Sequence, residues 1–306
     1  MTLRLGTRGS PLALAQCGVV ARALGALGVE AEVIAIRTSG DRLSHVALGE
    51  FGGKALFVKE IEEALLAGQV DVGVHSLKDL PAELPLGLCL AAFPPREDPR
   101  DVLVTRTGAA LGELPERAVV GTSSLRRRVL LLARRPDLRV EPIRGNVETR
   151  LARLERGECD ATVLARAGLL RLGLTVPHAV VLAAEDFLPA VGQGILGLEA
   201  RAADARTQEV LTRLDDAPTR TVAEAERAFL RRLGAGCHAP VAGHARLDGL
   251  ALSLTGLVAS ADAETVLRAS ISGPASSAEA LGQKLADEIL ARGGRRLLDA
   301  AEGRRA

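Results

Sequence analysis

The chain has 306 residues, of which 47% are hydrophobic and 25% charged, and its net charge is +1 at pH 7. This length and composition predict a globular protein of two or three domains. The near-neutral charge, five phenylalanines and the lack of tyrosine and tryptophan argue against a general nucleic-acid binder, because they supply neither a basic surface nor stacking platforms.

The four cysteines, Cys17, Cys89, Cys159 and Cys237, are scattered and form no CxxC pair. Such spacing suits a reducing compartment better than a disulfide framework. The early apolar run at 11–17 is too short for a secretion signal, and no apolar run reaches the roughly 18 residues of a membrane span. We therefore expect a cytoplasmic protein that does not bind membranes.

The first third of the chain alternates strand and helix patterns. Ser10 and Pro11 form a good N-cap and first-turn pair after the first strand, and apolar residues then recur at helical spacing. The predicted strands are 3–8, 29–36, 70–76 and 86–93, and the predicted helices begin at 11 and run over 54–68.

A proline-rich stretch at 94–101 predicts a domain crossing. Strands at 101–105, 118–122, 138–143 and 159–165 follow, alternating with helices at 123–135, 146–157 and 167–173. This alternation indicates a mostly parallel sheet with helices on both faces, so two α/β domains are expected, with function in the loops at the carboxyl ends of the strands.

The last part of the chain has a different order. A helix at 219–236 precedes three strand-like runs at 239–247, 251–260 and 264–273, and a helix at 277–294 closes the pattern. Strands that follow one another and are flanked by helices predict a small α+β domain.

Three predicted strand-to-helix turns collect polar and basic side chains. Helix N-termini offer unpaired N–H groups, and arginine adds bidentate pairing with carboxylates, so the turns predict one polyanionic ligand in a cleft between the α/β domains. The alternative is ordinary helix capping with solvated arginines. None of the turns matches a P-loop or a dinucleotide fingerprint. The residues are Arg8 and Ser10; Thr122, Ser123, Ser124, Arg126 and Arg127; and Arg144, Asn146 and Arg150.

The stretch after the predicted strand at 70–76 contains Lys78 next to Asp79. This pair could combine an acid or a cation-stabilising carboxylate with an anion-binding ammonium. Asp79 could equally cap the turn before Pro81, and His75 is expected to be a packed residue at the strand end.

Cys237 lies in a glycine-flanked loop next to His238. No second ligand pair at zinc-site spacing is visible. A buried structural cysteine, a hydrolase nucleophile paired with His238, and a loop thiol available for covalent chemistry remain open on the residues alone.

Together these segments resemble the porphobilinogen deaminase family, also called the hydroxymethylbilane synthases. The matching blocks follow the family's order from residue 7 to about 241. They are TRGSPLALAQ, GGKALFVKEIE, DVGVHSLKDLP, VGTSSLRRR, IRGNVETRL, GQGILGLE and GAGCHAPV.

The resemblance implies an α/β fold with two periplasmic-binding-protein-like α/β domains and a small α+β C-terminal domain. Domain 1 would comprise 1–94 and 195–214, with the chain returning to it near the GILGLEA stretch. Domain 2 would comprise 100–190, and domain 3, with the cysteine loop, 218–306.

The resemblance also implies a transferase activity. A dipyrromethane cofactor would be attached to Cys237 through a thioether, and four porphobilinogen molecules would be added head to tail with loss of ammonia. Water would then release hydroxymethylbilane for tetrapyrrole biosynthesis. The expected enzyme is a monomer that needs no metal and binds no nucleic acid. The alternative is a two-lobed module that binds anionic solutes without catalysis.

The resemblance implies catalytic, gating, cofactor-binding and substrate-binding residues. Asp79 and Lys78 are the catalytic pair, and Lys54 and Lys59 lie in a segment that could gate the cleft. The implied cofactor-binding residues are Cys237, Lys78, Asp79, Thr122, Ser123, Ser124, Arg126, Arg127, Arg144 and Gly145. The implied substrate-binding residues are Arg8, Ser10, Arg150, Arg171 and Gln193.

Overall fold

The computed structural model describes residues 2–38, 58–236, 239–301 and 303. The described residues form three sheets with helices packed against them. The α/β class and the separate small α+β unit at the C-terminal end are therefore confirmed. Among the described helices, none is long and apolar enough to cross a membrane.

The first sheet has five strands in the order β2-β1-β3-β10-β4. Its strands are β1 (Thr2–Arg8), β2 (Glu30–Ile36), β3 (Val72–Ser76), β4 (Leu88–Ala92) and β10 (Leu196–Arg201). Helices α1 (Pro11–Ala26), α2 (Lys59–Leu66) and α6 (Ala205–Thr212) pack on it. Buried leucines of β1 and the apolar face of α1 form its core.

The second sheet also has five strands, in the order β7-β6-β8-β5-β9. They are β5 (Asp101–Thr105), β6 (Val119–Gly121), β7 (Arg139–Glu141), β8 (Ala161–Ala165) and β9 (Ala179–Val181). The helices of this part of the chain are α3 (Leu125–Leu132), α4 (Val147–Glu155) and α5 (Arg166–Arg171).

In each five-stranded sheet, four strands run in one direction and one runs against them. The reversed strands are β10, antiparallel to β3 and β4, and β5, antiparallel to β8 and β9. Each follows a stretch of chain that has come from the other sheet. The expectation of mostly parallel sheets is thus confirmed for the direction of the strands. Because each reversed strand has a neighbour on both sides, two of the four strand pairs in each sheet are antiparallel.

The third sheet is antiparallel, in the order β11-β12-β13. Its strands are β11 (Val241–Asp248), β12 (Ala251–Ala259) and β13 (Val266–Pro274), and its helices are α7 (Ala217–Leu233), α8 (Ala278–Ile289) and α9 (Arg295–Ala301). Phe229 of α7 is fully buried in a core that also includes Leu77, Leu80 and Ile195. The third unit therefore shares its core with the loop that follows β3.

Candidate active site

A small cavity of ≈ 50 Å³ lies at the carboxyl end of the first sheet. It brings together the predicted residues Arg8, Ser10 and Asp79, which are separated by about 70 positions in the sequence. The cavity is lined by Thr7, Arg8, Ser10, Leu12, Ala13, Gln16, Val58, Val74, His75, Ser76 and Asp79.

Helix α1 positions one wall of this cavity. Ser10 is its N-cap and accepts a hydrogen bond from the Ala13 N–H at 3.3 Å. Two turns into the helix, Gln16 Nε2 donates to Ser76 Oγ at 2.8 Å. The sequence reasoning placed Ser76 just past the strand end without giving it a role and did not single out Gln16, although a glutamine on the apolar face beside Cys17 is a signal that could have found the latter.

Asp79 ends a short 3-10 turn that directly follows β3. The Leu77 N–H donates to the Ile195 carbonyl at 2.9 Å, and both Leu77 and Leu80 are buried. The Asp79 residue between these anchors is exposed. The turn therefore presents a carboxylate at the cavity from a firmly packed base.

Lys78 points toward the second sheet. Its Nζ donates to Gln193 Oε1 at 3.4 Å, and Gln193 Nε2 donates to Asp101 Oδ1 at 3.0 Å. Burial lowers the pKa of Lys78 to about 8, against the opposing effect of the Asp79 charge and with a further lowering from Arg127. Gln193 thus links Lys78, one of the two catalytic candidates, to Asp101 at the start of β5.

Arg126 and Arg127 are buried and both pair with Asp101. Arg126 Nη1 lies 2.8 Å from Asp101 Oδ2, and Arg127 Nη2 lies 2.7 Å from Oδ1. Burial alone would raise the pKa of Asp101, but the charges of Arg126 and Arg127 lower it to about 2. The sequence reasoning missed Asp101; its signal is a charged first residue on the apolar strand β5.

This group contains three cationic side chains and one carboxylate, so it holds an excess of positive charge. Within the described residues, Arg127 Nε is buried without a hydrogen-bond partner. A buried donor of this kind calls for an acceptor, and an excess of cations favours an anion. The residues present therefore fit a ligand that carries carboxylates, as a dipyrromethane made from porphobilinogen does.

The other predicted turn residues mostly hold their own turns together. Ser124 caps α3 by accepting from the Arg127 N–H, and Ser123 Oγ donates to the Ile143 carbonyl at 2.8 Å. Thr122 is buried, and its Oγ1 accepts from the Ser124 N–H at 3.2 Å. The structure thus shows the capping that the alternative interpretation expected, alongside the clustered guanidinium groups.

The third turn and helix α5 carry further predicted arginines. Arg150 Nε donates to the Gly145 carbonyl at 3.0 Å, and burial together with the charge of Arg127 lowers its pKa to about 10. Arg171 Nη2 donates to the Gly194 carbonyl at 2.7 Å. Arg144, at the start of this turn, is half-buried.

His75 is buried, with its Nε2 3.0 Å from Glu199 Oε2, which confirms the packed position expected for it. Lys59 lies on the exposed face of α2 and pairs with Glu63 at 3.7 Å. Cys237, the proposed attachment point, and Lys54 lie outside the described residues.

Within the parts of the chain that the structure describes, no group of three or more His, Cys, Asp or Glu side chains is arranged to hold a metal ion.

Two family models match the chain. The model described as the porphobilinogen deaminase dipyrromethane cofactor-binding domain matches residues 3–209, and that of the porphobilinogen deaminase C-terminal domain matches residues 221–291. Together they span all three sheets.

Curated relatives are similar over almost their whole length. A porphobilinogen deaminase from Syntrophotalea carbinolica is 49% identical over 302 residues, which cover 98% of this chain and 96% of that protein. One from Desulforudis audaxviator is 51% identical over 298 residues, covering 96% of each.

Among solved structures, a periplasmic substrate-binding protein of an ABC transporter from Coxiella burnetii has a TM-score of 0.43 at 15% identity, covering 71% of this chain and 93% of that one. An arginine-specific periplasmic binding protein from Salmonella typhimurium has a TM-score of 0.40 at 16% identity, covering 70% and 91%.

Proposed function

The chain belongs to the porphobilinogen deaminase family, and from this premise we propose in detail how its residues act. The activity is that of a transferase of tetrapyrrole biosynthesis. Its finer form is hydroxymethylbilane synthase: four porphobilinogen molecules are joined head to tail with loss of ammonia, and water releases the product. The solute-binding alternative is not favoured, because the matched relatives extend through the third domain.

The observation that carries this proposal is the excess of buried cations around Asp101. Porphobilinogen bears an acetate and a propionate, so a lengthening chain accumulates carboxylates. Arg126, Arg127 and Lys78 offer charge-assisted hydrogen bonds to such groups, each worth about 1.5–3 kcal/mol. We assign Arg8, Ser10, Arg150, Arg171 and Gln193 to the same task for the incoming substrate.

The cofactor is proposed to be a dipyrromethane on the Cys237 sulfur. Its carboxylates would be held by Lys78, Arg126, Arg127 and Arg144 and by the polar groups of the turn at 122–124 and of Gly145. When bound, it supplies the free pyrrole carbon to which the first porphobilinogen is joined.

Asp79 is proposed to act on the substrate that loses ammonia. Departure of the amine leaves positive charge on the pyrrole, and a carboxylate next to the ring stabilises that charge. The same carboxylate can take up and return protons at the pyrrole nitrogens and at the carbon that forms the new bond. Its exposed position at the cavity edge gives substrate access to it.

Lys78 is proposed to hold carboxylates through its charge. Burial lowers the pKa of Lys78 to about 8, which is still above neutral pH, so the ammonium is charged at pH 7 and loses its proton above about pH 8. Bound carboxylates stabilise the charged form and oppose that loss.

The test is turnover of porphobilinogen by wild type and Asp79→Asn. Wild type should release ammonia and a linear tetrapyrrole, detected as porphyrin after acid oxidation. Asp79→Asn should fold normally, because the residue is exposed, and should be at least ~100-fold slower. Glu83→Gln changes an exposed carboxylate of the same loop and should keep wild-type rates. Equal rates for wild type and Asp79→Asn would refute the assigned role.

The monomeric state and the cytoplasmic location stay predictions.

A further inference from the structure

Arg227 reaches from the third domain to the loop that carries Asp79. It lies in α7, is only 5% exposed, and its Nη2 donates to the carbonyls of Pro81 and Ala82 at 3.1 and 2.9 Å. These acceptors come two and three residues after Asp79. One guanidinium group therefore fixes the backbone immediately after the catalytic candidate.

The loop needs such an anchor. Between the 3-10 turn that ends at Asp79 and the start of β4 at Leu88, the chain forms no regular strand or helix. Pro81 has no N–H with which to join a backbone ladder. Leu77 and Leu80 are buried on either side of Asp79 and hold the turn itself, and the hydrogen bonds from Arg227 hold the backbone that follows Leu80.

The residue before Arg227 holds the backbone segment that carries Gln193. Glu226 is fully buried and accepts from the Gly192 N–H at 2.6 Å and from Arg96 Nη1 at 2.7 Å. Arg96 Nε in turn donates to the carbonyl of Gln193, the residue that contacts Lys78. Two consecutive side chains of one helix thus hold two of the backbone segments that carry the candidate site.

We propose that Arg227 is a positioning residue for Asp79, an inference that rests on the function proposed above. It acts through the carbonyls of Pro81 and Ala82 and transmits the placement of α7 to the catalytic loop. Helix α7 ends at Leu233, four residues before Cys237, so the same helix leads into the loop proposed to carry the cofactor. Arg227 would thereby hold the Asp79 carboxylate at a fixed position relative to the growing pyrrole chain.

The test compares Arg227→Met with Arg227→Lys. Methionine keeps most of the aliphatic stem but donates no hydrogen bond, and lysine restores a donor for one carbonyl. The control is Arg231→Met, one turn along α7. Arg231 lines the same surface pocket as Arg227 and Ala82 but pairs with Glu279 at 2.9 Å on the exposed surface.

We expect Arg227→Met to lower kcat roughly tenfold with KM within about twofold, since loss of orientation slows the reacting step more than binding. Its intact mass should still include the cofactor, and the amides of Leu80 and Leu88, which donate to the Leu77 and Pro85 carbonyls, should exchange hydrogen faster than in wild type. Arg227→Lys should recover part of kcat, and Arg231→Met should match wild type in all three readouts.

An unchanged kcat in Arg227→Met would overturn the proposal, as would a loss of kcat that follows loss of cofactor from the intact mass. If Arg227→Met does not fold, Arg227→Lys decides: kcat and loop exchange both equal to wild type would overturn the proposal. Failure of the proposed function is distinct, because wild type itself would then produce no tetrapyrrole.

Discussion

At Asp101, a carboxylate with no exposed surface meets two guanidinium groups and the amide of Gln193. The sequence predicted the partners Arg126, Arg127 and Gln193 but not the carboxylate. A charged first residue on an apolar strand is a signal that marks Asp101, but it does not tell a buried ion-pair partner from a residue that caps a turn. Its burial is set by the packing of β5 and the crossing segments, which local patterns do not encode.

Asp101→Asn should therefore destabilise the protein strongly. It leaves two buried guanidinium groups without their counter-charge, and breaking a buried pair from one side costs about 3–5 kcal/mol. Urea unfolding measures the change. Asp137→Asn, which breaks an ion pair with Arg135 that is partly exposed to solvent, should cost no more than about 1 kcal/mol. Similar losses in both variants would contradict this account of the cluster.

The ion pairs of Asp101 with Arg126 and Arg127 also predict how the stability of the protein depends on acid pH. The pKa of Asp101 is lowered to about 2 in the folded protein, against about 3.9 unfolded. Its contribution is therefore complete above pH 4 or so and is lost as the pH falls toward 2. Glu226, whose pKa is also lowered to about 2, titrates in the same window. The difference in the free energy of unfolding between wild type and Asp101→Asn should therefore shrink as the pH falls from about 4 to about 2.

At the scale of elements, most strands and helices follow from local pattern. The caps at Ser10, Ser124 and Asn146 are formed by side chains of the expected type. The sequence reasoning missed β9 and α6, which are short and bury few apolar residues. It also did not assign the reversed direction of β5 and β10, because apolar alternation along a strand does not depend on its neighbour's direction.

Close packing of α7 against α8 gives a prediction at this scale. A Cβ on Gly282 would meet the Ala225 carbonyl and the Phe229 N–H of α7. Gly282→Ala gains up to about 1 kcal/mol in helix propensity, but the displaced backbone should cost about 1–3 kcal/mol and so destabilise the protein on balance.

The comparison variant is Gly25→Ala, in helix α1, where a Cβ would meet nothing within 4 Å. It should leave the urea midpoint equal to or slightly above that of wild type. A Gly282→Ala protein as stable as Gly25→Ala would mean that α7 and α8 are not in the close contact described.

At the scale of the whole molecule, the two segments that cross between the five-stranded sheets lie side by side. The Glu97 N–H donates to the Gly194 carbonyl at 3.0 Å, and Gln193 Nε2 donates to the Pro99 carbonyl at 2.7 Å. Gly194 has φ +87°, which favours glycine at this contact. The sequence indicated a crossing at 94–101 and a return near 195, but their pairing needs the fold; the exact domain boundaries stay predictions.

The most direct measurement is the intact mass of the purified protein before and after addition of porphobilinogen, with Cys237→Ser in parallel. Wild type should exceed the bare polypeptide by one dipyrromethane and then show a ladder of added pyrrole units, whereas Cys237→Ser should keep the bare mass throughout. A wild-type protein that has the bare mass and gains no units would contradict the account.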